Sequence, residues 1–131
     1  MSRRRNIREE RGQTMVEFAL VVPILCVILF GILQFGAVYN DYITLTDASR
    51  VGARKAAVSR REENPEAVAE TAARASAAGL DPDDLVVSVS ATAWEHGETV
   101  TVEASYPYEI DVLGFVVASG DLTAETTERV E

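Results

Sequence analysis

The chain has 131 residues, which is enough for one domain with an appended segment. Its formal net charge of −9 gives no attraction for phosphate backbones, so composition argues against a nucleic-acid-binding protein. A single cysteine, Cys26, excludes an intrachain disulfide, and with His96 as the only histidine a Cys/His zinc site is excluded as well.

Charge and hydrophobicity are distributed unevenly along the chain. Residues 1–12 form a basic leader with five arginines and two glutamates, whereas the rest of the chain carries seven basic and nineteen acidic side chains. Residues 18–38 include one polar side chain, Gln34, and no charge. These 21 residues are enough for a helix that rises about 1.5 Å per residue to cross a hydrocarbon core of roughly 30 Å. We therefore predict a membrane span at about residues 16–39.

The flanking charges predict the orientation of this span. Arginines precede it and none follows closely, which places the leader in the cytoplasm and residues 40–131 outside. A cleavable signal peptide fits less well, because the apolar run is too long and no small-x-small triplet follows it. A lipoprotein is disfavoured because bulky Ile24 and Leu25 precede Cys26. We expect a single-pass protein of the cytoplasmic (inner) membrane. The sequence is consistent with a cell envelope that has one membrane and with one that has two.

The boundary between leader and span, RGQTMVEF at residues 11–18, has a distinctive order of residue types. The basic leader ends in Gly12, and five residues later Glu17 stands at the edge of the apolar stretch. A carboxylate inside a bilayer is energetically unfavourable, so an acidic residue at this position indicates a function. The alternative is that Glu17 lies in the head-group zone with its carboxylate in water.

This boundary resembles the processing site of type IV pilin-like proteins. The run RGQTMVEFALVVPIL resembles the opening of the TadE-like family, minor pseudopilins of the tight-adherence (Flp) pilus system. The resemblance implies that a prepilin-type aspartic peptidase cleaves between Gly12 and Gln13, and that Phe18 is the aromatic residue of the processing motif. Glu17 is then the fifth residue of the mature chain. There it would accept the new α-amine of a neighbouring subunit, so that both charges are neutralised where helices pack.

The span and the region beyond it are predicted to form one long helix, residues 13–59. Pro23 lies inside this helix, removes one backbone donor, and is predicted to kink or loosen it. Helical periodicity of apolar residues continues beyond the membrane. The basic residues Arg50, Arg54 and Lys55 are expected on a solvated face; the alternative is that they meet an acidic surface of the same or a neighbouring subunit.

Residues 60–84 are predicted to form a polar connection and a second, short helix. Asn64 is a suitable cap for that helix, and Pro65 suits its first position. Residues 85–131 are predicted to form a small C-terminal antiparallel β-sheet, because apolar and polar residues alternate in three segments. The three segments are Leu85–Ala93, Thr99–Tyr106 and Leu122–Val130.

The apolar run Ile110–Ala118 does not alternate in this way. It is expected to be a loop that covers the sheet or meets a partner. With one long transmembrane, pilin-like helix, one short helix and a small sheet, the predicted fold class is α+β.

No motif for catalysis, cofactor binding or metal binding is recognised. His96 lies between glutamates in a predicted hairpin loop, without a supporting nucleophile, so we expect a solvated side chain. The acidic turn at residues 81–84 lacks the glycine and terminal glutamate of an EF-hand loop. We therefore expect a protein that is not an enzyme and has no cofactor.

The resemblance and the predicted span together give the functional hypothesis. The chain is expected to be a minor pseudopilin-like membrane protein that takes part in assembly or initiation of a Flp pilus by packing its helix with partner pilins. Its expected partners are pilins or pseudopilins, the assembly machinery, the prepilin-type peptidase and membrane lipid, and not nucleic acid or a small-molecule substrate. The alternative is a membrane-anchored extracytoplasmic binding module unrelated to pili, which would keep residues 1–12. Positions in the filament and at its base are both consistent with the sequence.

Overall fold

The computed structural model describes residues 7–131, with the side chains of residues 12–131. It confirms the α+β class, with two helices followed by a three-stranded antiparallel sheet in which β2 is central. The arginine side chains of the predicted leader lie outside the described residues. The elements are α1 (Ile7–Val58), α2 (Pro65–Ser76), β1 (Val86–Ala91), β2 (Thr99–Val112) and β3 (Phe115–Arg129).

Helix α1 is 52 residues long, and its two parts have different surroundings. In the first part, residues 12–43, most side chains are exposed, and no residue of its most apolar eighteen-residue stretch is buried inside the protein. Among the described residues it is the one helix long and apolar enough to cross a membrane. Such a surface is unfavourable in water, so this part of α1 needs lipid or other apolar helices around it.

The second part of α1, from Leu45 onward, forms one side of the hydrophobic core. Most of the buried residues on this helix face are small, which lets α2 and the sheet approach closely. Ser49 is buried among them, where its Oγ donates to the Thr46 carbonyl at 2.9 Å and lies 2.8 Å from Thr126 Oγ1. The main core residues are Leu45, Ala48, Ala53, Ala56, Ala69, Ala73, Val100, Val102, Ala104, Ala124 and Val130. We call residues 60–131, which contain α2 and the sheet, the outer domain, after its predicted location. The outer domain therefore shares its core with the helix that carries the predicted span.

Helix α2 begins with the cap that the sequence predicts. Asn64 Oδ1 accepts a hydrogen bond from the Ala67 backbone N–H at 3.1 Å, and Pro65 occupies the first position. Near its other end, Arg74 Nη1 donates to the Leu85 carbonyl at 3.0 Å. This bond fixes the end of α2 beside the start of β1.

The apolar run Ile110–Ala118 is not a loop, and that prediction was wrong. Strands β2 and β3 continue through the run and remain paired, with one irregularity in register. Leu113 and Gly114 form the connecting turn with positive φ values of 54° and 85°, as a two-residue hairpin turn of type I′ requires. The Asp111 carboxylate accepts a hydrogen bond from the Gly114 N–H at 2.9 Å. The run was misinterpreted because leucine is uncommon at a position with positive φ.

The end of β2 and the start of β3 extend beyond the three-stranded part of the sheet as a two-stranded ribbon. They do so because β1 pairs with β2 only as far as Ser105. The ribbon runs back along α1 toward its N-terminal end. Val100, near the start of β2, packs in one cluster with Ala56. At the other end of the strand, the Asp111 carbonyl accepts a hydrogen bond from Gln34 Nε2 at 2.9 Å. The ribbon therefore reaches the apolar first part of α1.

Gly52 lies at the closest approach of α1 to the rest of the domain. A Cβ built on it would be 2.9 Å from Ala73 Cβ and 3.1 Å from Val102 Cγ1. Ala73 has no flexible side chain, so α2 itself would have to move to make room. The Arg50-Val-Gly-Ala-Arg54 run thus holds a glycine for packing, with its arginines exposed.

We expect Gly52→Ala to destabilise the outer domain by about 1–2 kcal/mol. Overpacking costs about 1–3 kcal/mol, and the better helix propensity of alanine returns up to about 1 kcal/mol. Thermal unfolding of the full chain in detergent, followed by the fluorescence of Trp94, measures the change. Gly36→Ala is the matched control on the same helix, because a Cβ at Gly36 meets no atom within 4 Å. A melting temperature for Gly52→Ala equal to that of the control would contradict this packing argument.

Candidate processing and assembly site

The residues of the candidate site all lie on the N-terminal part of α1. Gln13 and Glu17 are four residues apart, so one helical turn brings their side chains together on the same face. Gln13 Nε2 donates a hydrogen bond to Glu17 Oε1 at 3.1 Å, and both residues are exposed. The helix thus presents a carboxylate that is hydrogen-bonded to Gln13 and remains exposed.

Glu17 is electrostatically isolated along the chain. Between Gly12 and Asn40 it is the only acidic or basic residue, and the side chains that follow it on α1 are almost all apolar. Exposed apolar side chains surround this position, among them Val16 and Phe18. If this part of the helix enters a bilayer or a bundle of helices, an opposite charge for Glu17 must therefore come from outside residues 13–39.

Among the described residues, no contact accounts for a glycine at position 12. It lies inside α1 with ordinary helical φ, and a Cβ built on it would meet no atom within 4 Å. Inside a helix, glycine is about 1 kcal/mol less favourable than alanine. The contrast with Gly52 is direct, because at Gly52 packing explains the residue and at Gly12 it does not. A requirement for glycine at position 12 would have to come from outside the described residues.

Phe18 and Pro23 lie on the same exposed part of α1. The Phe18 ring is 69% exposed, so it is available to lipid, to a peptidase or to a neighbouring helix. Helix α1 continues through Pro23 without interruption. A kink or a flexible point at Pro23 stays a prediction.

Gln34 lies in the predicted span, and the sequence alone gave it no role. It is partly buried, and its amide donates to the Asp111 carbonyl of the ribbon. The available signal was that Gln34 is the one polar side chain in an otherwise apolar stretch. Its partner was not predictable, because Asp111 lies 77 residues away in sequence.

The outer domain presents open depressions on its surface. One is lined by residues of α1 and β3 that include Arg50, Arg54 and Glu128. Arg50 pairs loosely with Asp47 at 3.8 Å, with both side chains well exposed. Over the residues that the structure describes, no group of three or more His, Cys, Asp or Glu side chains could hold a metal ion. His96 lies exposed in the loop between β1 and β2.

Comparison with known proteins gives one positive result. The family model described as TadE-like protein matches residues 12–54, about a third of the chain. The match begins at Gly12, includes Glu17, Phe18 and the whole apolar stretch, and ends at Arg54 in the helix that supports the core. No curated protein and no solved structure matches the chain. Residues 12–54 are thus similar to the TadE-like family, the family that the leader and the apolar stretch had indicated.

Proposed function

We propose that this protein is a minor pseudopilin-like subunit that takes part in assembly or initiation of a tight-adherence pilus. One observation supports the proposal most strongly: the exposed apolar half of α1 has a single charged residue, Glu17, five positions after Gly12. The match to the TadE-like family adds a link to the same pilus system. In this proposal the protein acts by packing its helix with partner pilins and is not an enzyme.

The membrane is the first environment of this helix in the proposal. The apolar part of α1 crosses the cytoplasmic membrane once, with the basic leader inside and the sheet outside. A prepilin-type peptidase then cleaves between Gly12 and Gln13 and removes the leader. Cleavage releases an α-amine at Gln13, which is mostly protonated at neutral pH.

The geometry of α1 suggests how this amine would be used. Gln13 and Glu17 are separated by four residues, or about 6 Å along the helix axis. If Glu17 of one subunit accepts the amine of the next, two parallel helices are offset by a distance of this order. The pair is attractive in a low-dielectric bundle, whereas either charge alone would be strongly unfavourable there. The contact therefore sets an axial register as well as an affinity.

The N-terminus of the mature protein tests the proposal. We expect intact-mass analysis of protein extracted from membranes of cells that make the pilus to find Gln13 as the first residue. The alternative function, a membrane-anchored binding module, keeps residues 1–12 and so has a larger mass. Assembled material that begins at Met1 or Ser2 would contradict the proposed processing.

A further inference from the structure

The turn between β2 and β3 is unusually apolar for the exposed end of a ribbon. We call residues 112–118 the hairpin tip. No charged residue occurs between Asp111 and Asp121. Four large apolar side chains of the tip are more than half exposed: Leu113 at 69%, Phe115 at 75%, Val116 at 55% and Val117 at 62%. Contiguous exposed groups of this kind mark a contact surface for lipid or protein.

The position of the hairpin tip favours lipid over protein as the molecule that it contacts. The Gln34–Asp111 hydrogen bond places the base of the tip beside the apolar stretch of α1, at 2.9 Å between the bonded atoms. Gln34 lies four residues inside the outer end of that stretch, or about 6 Å along the helix. Leu113 lies two strand residues farther in the same direction, or about another 7 Å. If α1 spans the membrane along its normal, these two distances place the tip at most about 13 Å inside the apolar layer.

The backbone of the tip is suited to that depth. An unpaired polar group is costly in a lipid environment. The Asp111 carbonyl lies at the register irregularity between Ile110 and Asp111, and it accepts a hydrogen bond from Gln34. The Gly114 N–H in the turn is satisfied by the Asp111 carboxylate at 2.9 Å. The ribbon edges still need water, which limits insertion to the interfacial region.

The backbone conformation of the turn residue Leu113 also favours a lipid contact. Leu113 has φ of 54°, a conformation in which glycine, asparagine and aspartate are the usual residues. The sequence thus places a large apolar side chain where the backbone disfavours it and where no part of the described chain covers it. A lipid contact gives that side chain a favourable environment.

We infer that the hairpin tip inserts into the outer leaflet beside the span of its own chain, as a second membrane contact of the outer domain. The inference rests on the proposed membrane span of α1. Its partner is the acyl and head-group boundary of the bilayer, and the contact holds the sheet in a fixed orientation above the membrane before any partner subunit binds.

Spin labels on the full chain in phosphatidylcholine–phosphatidylglycerol vesicles test the inference. In a Cys26→Ser background, single labels are placed by Val117→Cys at the tip, Ile28→Cys in the span and Ser88→Cys on the exposed face of β1. Collision with oxygen, which concentrates in lipid, is compared with collision with a water-soluble nickel complex. We expect lipid-like accessibility for the first two labels and aqueous accessibility for the third.

The outcomes separate the inference from the proposed function. A lipid-exposed label at position 28 with an aqueous label at position 117 overturns the tip insertion and leaves the span intact. An aqueous label at position 28 contradicts the span itself, and with it the insertion. A label at position 117 that is protected from both reagents indicates a protein contact, such as a second copy, and also overturns the inference.

A variant of the turn gives an independent check. Leu113→Asn suits the positive φ and removes an apolar side chain, so the hairpin should stay folded while its insertion weakens. We expect the oxygen-to-nickel collision ratio at position 117 to fall several-fold, with the label at position 28 unchanged. An unchanged ratio at position 117 would show that the apolar tip does not determine its depth.

Discussion

Replacing Glu17 by alanine is expected to leave processing after Gly12 largely intact and to reduce assembly with partner subunits by at least about a hundredfold. Removing one partner of a buried ion pair leaves the other charge uncompensated, at a cost of about 3–5 kcal/mol, and each 1.4 kcal/mol is about a factor of ten. Assembly is measured by crosslinking from position 16 in cells that make the pilus. Processing is followed in the same samples by mass.

Two further variants identify the role of the charge. Glu17→Gln keeps the shape and can still exchange a hydrogen bond with Gln13, so a defect comparable to that of the alanine variant indicates that the charge is required. Glu98→Ala is the control, because it removes an exposed glutamate of the outer domain that is far from the candidate site. Normal assembly of Glu17→Ala would refute the pairing and favour a carboxylate that simply lies in the head-group zone.

Gly12→Leu is expected to slow removal of the leader by about a hundredfold or more while the outer domain folds normally. A Cβ built at this position meets no atom of the described residues within 4 Å, so we expect a small packing penalty for leucine there. A peptidase must instead admit an extended backbone at the cleavage site, and leucine both fills that space and strengthens the helix that has to open. Misplacement of the reacting bond by about 1 Å is enough for a loss of this size.

The matched control for this prediction is Gly36→Leu. Gly36 lies on the same helix, also has no atom within 4 Å of a built Cβ, and is far from the cleavage site. The ratio of precursor to mature protein after a pulse of synthesis measures both variants. Equal maturation of the two variants would mean that glycine at position 12 is not read by a peptidase.

The parts of the fold that were predictable from sequence depend on local chemistry. The long apolar stretch, the cap at Asn64 and the alternation in β1 each arise from residues close together in the chain, and the structure places all of them as expected. The close spacing of Gly12, Gln13 and Glu17 on one helix is local in the same sense. Gln13 and Glu17 share a face because α1 is regular there.

The parts that were not predictable depend on contacts between distant residues. The run Ile110–Ala118 pairs as strand because the two halves of a ribbon meet at a leucine turn that composition does not signal. Gln34 has a partner only because the ribbon folds back along α1. Gly52 is explained only by α2 and β2 packed against it. In each case the deciding neighbour lies far along the chain.

Helix α1 runs unbroken from the candidate cleavage site into the core beneath the sheet. A continuous helix transmits angle as well as distance, since each residue turns it by about 100° and advances it by about 1.5 Å. The angle around the helix axis between the Glu17 side chain and the sheet is therefore fixed. One residue added between them would turn the outer domain by more than a quarter of a circle. In the proposed pairing, the number of residues between Glu17 and the sheet thus determines which face each subunit presents to its neighbour.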